Sequence, residues 1–171
     1  MAAQFEDAIA VMRSTLLAME RTPSVASGKR DEDLREPKLG AAERHLLWSR
    51  HGRNFIRNGK TDILLKYGDR HVFTGECKWW KGQKACAEAV DQLLRYMPWR
   101  NVKAALLMFI DTKDASAVLE KADAAIKGHR AFKRIGVTTA DPSGRRNYVL
   151  GNPDDADREI QLTALFAVLP Q

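Results

Sequence analysis

The chain has 171 residues, with 28 Lys and Arg against 22 Asp and Glu, a formal charge of +6 and a pI near 9.5. This length suits one domain, residues 1–171, with a sizeable core, and 44% hydrophobic with 29% charged residues excludes a disordered or collagen-like chain. The longest apolar run, residues 104–110, is too short to span a bilayer, and the acidic start lacks the basic-then-apolar order of a signal peptide, so the expected location is the cytoplasm and no membrane partner is expected.

In chain order, Phe5, Ile9, Met12, Leu16 and Met19 draw an apolar stripe at helical spacing. Residues 1–28 therefore read as an N-terminal helix and linker, with Thr22, Pro23 and Ser24 ending the helix. Asp31, Glu32 and Asp33 resemble the acidic first turn of a second helix, which Pro37 and Gly40 interrupt, and residues 36–52 carry no readable period. From Asn54 the pattern changes to strands. Residues 62–67 and 71–79, joined by a tight turn at Gly68, Asp69 and Arg70, predict a hairpin. Residues 83–97 predict a helix stopped by Pro98, and 101–110 a strand buried on both faces. A further helix follows, capped by Asp114, carrying Val118, Leu119, Ala122 and Ile126, and closed by Gly128. Strands are expected near 147–150 and over 159–168, where apolar residues alternate. The expected class is α/β, with a core at 54–128 and C-terminal strands at 145–169.

Two cysteines, Cys77 and Cys86, make neither a disulfide framework nor a zinc set, and the four histidines lack ligand spacing. The cysteines read as small buried hydrophobes. Charge is more informative: residues 44–103 hold 13 Lys and Arg against 5 Asp and Glu, while the rest of the chain holds 15 against 17. A basic middle suits a polyanionic partner, a nucleic acid above all, although it also suits a solvated surface.

Three acidic-x-lysine triplets occur, at 36–38, 76–78 and 111–113. Pro37 argues against a sheet interior for the first, and the third sits at a strand end without an acidic residue on an adjoining hairpin strand. Around the middle one, strand periodicity puts Glu76 and Lys78 on one face, and the hairpin can bring Asp62 alongside. Two carboxylates hold a hard cation such as Mg²⁺ or Mn²⁺, with the Cys77 carbonyl as a further oxygen. Such a cation makes water acidic enough to attack a phosphodiester, and a lysine steadies the nucleophile or the charge that develops on phosphorus. The same residues also fit a surface ion pair across an edge hairpin. On the following helix, Gln92 falls at the border of the buried face, where a polar group needs a partner. Trp79, Trp80 and Trp99 could stack on bases or simply pack. Lys60, Lys81, Lys84, Arg95 and Arg100 are the candidate phosphate contacts.

The runs Gly59-Lys60-Thr61-Asp62-Ile63-Leu64-Leu65, Glu76-Cys77-Lys78-Trp79-Trp80-Lys81-Gly82 and Asp91-Gln92-Leu93-Leu94-Arg95-Tyr96, with Trp99-Arg100, resemble bacterial members of the PD-(D/E)xK nuclease superfamily. The likeness covers residues 59–113, about a third of the chain. It implies a restriction-endonuclease-like core of four mixed strands flanked by helices, with the C-terminal strands as additions. It makes Asp62 and Glu76 metal ligands and Lys78 the catalytic lysine, with Gln92 supporting the site. It adds Glu32 as an acidic residue on an early helix. The chain departs from the pattern over residues 36–53, where Arg53 stands in place of an acidic residue. The expected function is a metal-dependent endonuclease of defence or repair, acting on DNA rather than RNA. A homodimer would cut both strands, and a partner protein would deliver the domain to its target. The alternative is a nucleic-acid-binding module, or a subunit of a larger assembly, that performs no chemistry.

Overall fold

A computed structural model describes residues 2–21, 53–55, 63–67, 70–97, 100, 102–137 and 144–169. Strand β4, Lys103–Ile110, is the centre of the architecture. Its even residues, Ala104, Leu106, Met108 and Ile110, enter one apolar cluster, and its odd residues, Ala105, Leu107 and Phe109, enter another. Burial on both faces accounts for its unbroken apolar run.

Helix α1, Ala2–Arg21, lays Phe5, Ile9, Met12, Leu16 and Met19 on the odd face, so the predicted stripe is the buried one. Phe5 meets Phe73 edge to face, with 5.5 Å between ring centroids. Polar groups fasten both ends of the helix. Arg145 donates two hydrogen bonds to Glu6, at 2.7 and 2.9 Å, and the Val168 N–H donates to Glu20 Oε1 at 2.7 Å. On the even face lie α2, Gln83–Arg95, and α3, Ala115–Lys127, packed against each other. Helix α2 stops two residues short of expectation, ahead of Pro98, whose ring disfavours helical backbone in the residue before it. Asp114 precedes α3, but its side chain makes no capping hydrogen bond, contrary to expectation.

The remaining strands are β1 Arg53–Phe55, β2 Ile63–Tyr67, β3 Arg70–Trp79, β5 Phe132–Ile135, β6 Arg146–Asn152 and β7 Asp155–Val168. They form one sheet in the order β1-β2-β3-β4-β7-β6-β5. The neighbours of β4, β3 and β7, run parallel to it, and the remaining pairings are antiparallel. The mixed α/β class is as expected, but the sheet has seven strands rather than four. The C-terminal strands are not additions to a finished core, because β7 pairs with the whole of β4, from Lys103 to Ile110. Strands β1 and β5 are short elements that the sequence pattern does not mark off. The hairpin of β2 and β3 forms with Ile63 opposite Gly75, while its turn residues Gly68 and Asp69 lie outside the described residues, as does the expected second helix near Glu32. No described helix is long and apolar enough to cross a membrane.

Candidate active site

Strand β3 presents Phe73, Cys77 and Trp79 to the α1 face, so Thr74, Glu76 and Lys78 point to the face covered by α2 and α3. Glu76 is 0% exposed and Lys78 27%, and Lys78 Nζ stands 3.4 Å from Glu76 Oε1. The expectation that these two share a face holds. The ion pair is not a surface feature across an edge hairpin, because β3 is the third strand in from the β1 edge and the carboxylate is buried. Removing a carboxylate from water costs several kcal/mol unless a counter-charge lies close, as Lys78 does here.

After β3 the chain turns at once into α2. Gly82, at φ +103°, adopts the left-handed backbone that this reversal needs and that a side chain would oppose. Helix α2 packs against β3 and β4 through Cys86, Ala89, Val90, Leu93 and Leu94, and Gln92 is half-buried beside them. Burial pushes the Cys86 thiol up to about 11, so it is protonated at neutral pH and no nucleophile. Cys77 is buried on the opposite face from Glu76, so only its main chain can take part in a site on the Glu76 face.

The basic residues are less concentrated than expected. Lys81, Lys84, Arg95 and Arg100 are all exposed, with Lys84 lying 3.9 Å from Glu88. Lys84 and Arg95, however, stand at opposite ends of α2, about 16 Å apart at 1.5 Å per residue, so they cannot grip one phosphate. Trp79 and Trp80 pack on the α1 and the α2/α3 clusters respectively, which favours their packing role. Trp79 lies 5.6 Å from Phe109, centroid to centroid. Asp62, Lys60, Glu32 and Trp99 lie outside the described residues. The structure therefore brings Glu76 and Lys78 together, and the hairpin is described from Ile63, opposite Gly75. Among the described residues no three His, Cys, Asp or Glu gather as a metal site.

Two polar clusters on the same side of the sheet escaped the sequence reading. The Ala131 N–H donates to His129 Nδ1 at 3.1 Å, which leaves the ring proton on Nε2, 3.2 Å from Asp91 Oδ1. Arg130 donates to the same oxygen at 3.1 Å. This arrangement ties α2 to the turn after α3. Farther along α3, Tyr148 donates to Asp123 Oδ1 at 2.8 Å, and Lys127 and Arg146 flank that carboxylate at 2.6 and 3.6 Å. Burial alone would raise Asp123, but the hydrogen bonds from Lys127 and Tyr148 and the charges around it hold it below the usual range. Burial and the bond to Asp123 push the Tyr148 phenol up. Both clusters bridge residues far apart in sequence, and only the i,i+4 spacing of Asp123 and Lys127 is a local pattern.

No family model matches the chain, and neither the curated proteins nor the solved structures contain a match to it.

Proposed function

We propose that the chain is a metal-dependent nuclease with a restriction-endonuclease-like core, hydrolysing phosphodiester bonds of DNA. The observation that carries this reading is the buried Glu76 with Lys78 beside it. At the matching register positions on the other side of β4, strand β7 has Ala164 and Phe166, so a sheet of this kind packs without charge there. A carboxylate that packing does not require has a chemical use as its simplest explanation.

The donor chemistry fits a hard divalent cation, Mg²⁺ or Mn²⁺: carboxylate oxygen from Glu76, carbonyl oxygen from Cys77, and a second carboxylate from Asp62. The cation, when bound, would supply the charge that acidifies the attacking water. Glu76, seated in a water-poor layer, keeps a fixed position and a strong field. Lys78, partly exposed above it, would place its ammonium against the charge developing on phosphorus. Gln92 would orient groups from the α2 side. Lys60, Lys81, Lys84, Arg95 and Arg100 would contact successive phosphates along a strand, setting affinity and salt dependence without reading sequence. Cutting both strands of a duplex calls for two such sites and hence a homodimer.

Incubation of supercoiled plasmid with Mg²⁺ or Mn²⁺, with and without chelator, tests the reading. Wild type should nick or linearise it only with metal, and Lys78→Ala should not. Cleavage by Lys78→Ala at the wild-type rate would refute the assignment. If folded wild type binds DNA but never cuts it, the chain is the binding module instead.

A further inference from the structure

We propose that the open edge of β5 is a docking strand for an acidic, extended segment of a partner protein. Among the described residues strand β5 ends the sheet, with β6 as its neighbour in the sheet order. The Gly136 N–H donates inward to the Asn147 carbonyl at 2.8 Å, so strand alternation turns the Ile135 N–H to the open side. Natural sheets usually blunt such an edge, because a free row of N–H and C=O groups pairs with other chains. Here the short strand carries Lys133 and Arg134, but its C-terminal end is apolar: Ile135 is 57% and Val137 91% exposed, two of the three large exposed hydrophobics among the described residues. Both line a cleft of about 370 Å³ that reaches Phe5 and Glu6 of α1 and has room for side chains of an added strand.

Charge selects the occupant. Beside β5, Glu159 pairs with Arg134 and Lys133, and Asp123 with Lys127 and Arg146, while Glu6 in the cleft is matched by Arg145. Each trio keeps a positive surplus, which suits a segment alternating carboxylate and aliphatic side chains. A nucleic acid would meet the cations but would use neither the outward N–H nor the two aliphatic side chains. The edge lies four strands from β3, about 19 Å at the usual spacing, so an added strand does not reach Glu76 and Lys78. The inference therefore stands independently of the nuclease reading.

Fluorescence anisotropy of the full chain with a labelled peptide alternating glutamate and valine tests it, with the lysine–valine peptide as control and unlabelled duplex DNA as competitor. The acidic peptide should bind saturably and more weakly at higher salt, the basic one should not bind, and DNA should not displace it. Ile135→Pro removes the outward N–H and should weaken binding about tenfold; Val137→Ser, which keeps the backbone intact, should weaken it severalfold. The proposal is overturned if folded wild type ignores the acidic peptide, if both peptides bind alike, or if DNA displaces it. A concentration-dependent dimer that Ile135→Pro abolishes would overturn it too, by giving the edge to a second copy of the chain.

Discussion

Strands β3 and β7 flank β4 as parallel neighbours and differ in what they put beneath the helices. In register with Leu106 and Met108 of β4, β7 supplies Ala164 and Phe166, while β3 supplies Glu76 and Lys78. The β7 side shows what stability alone favours at this depth, a close-packed apolar layer. The β3 side departs from it in the two residues whose chemistry suits phosphodiester hydrolysis. The lesson is that a departure from apolar packing is most informative when the same sheet offers a matched position without it.

The comparison breaks most visibly if charge is moved to the other flank. Ala164→Glu puts an unpaired carboxylate into the apolar layer and should destabilise by about 4 kcal/mol or more, measured by urea unfolding. Within the β3 pair, the two partners should behave unequally. Lys78→Ala removes the cation beside a buried carboxylate and should lose about 3 kcal/mol, whereas Glu76→Leu removes the buried charge and should be neutral or gain about 1 kcal/mol in the same assay. Equal losses from both would mean that the pair is a structural strut. Among the clusters outside the pair, Tyr148→Phe removes the hydrogen bond to Asp123 and should lower stability by about 1 kcal/mol.

The smallest effect belongs to the far face. The hydrogen bond from Arg145 holds Glu6 below its ordinary value near 4.5, so Glu6 stabilises the fold fully above that pH and progressively less as pH falls through its lowered pKa. Half-exposed and solvent-screened, it should contribute only a few tenths of a kcal/mol. Unfolding curves between pH 6 and about pH 3 should therefore decline slightly more steeply for wild type than for Glu6→Gln; parallel curves would show that the latch carries no pH dependence.

How much of this was legible depends on the range of the interactions. Helix α1, strand β3, α2, β4, α3 and β7 show their own periods, because each buries a continuous face. Strands β1 and β5, three and four residues long, show none, and a register shift between Phe132 and Arg134 breaks the alternation of β5. The parallel pairing of β4 with β7 joins residues such as Lys103 and Gln161, a contact that local pattern does not encode. The site divides the same way. The shared face of Glu76 and Lys78 follows from a period of two, but the depth of Glu76 depends on β4 beside it and α2 above it. The spread of Lys84 and Arg95 along α2 follows from helical rise alone.

The most direct test of the central claim, that Glu76 is held in the layer for chemistry rather than for packing, is plasmid cleavage in Mn²⁺ by Glu76→Leu at a temperature where its fold is verified. The account predicts a folded protein, at least as stable as wild type, that leaves the plasmid supercoiled while wild type nicks it. Cleavage by the folded variant at the wild-type rate would contradict it.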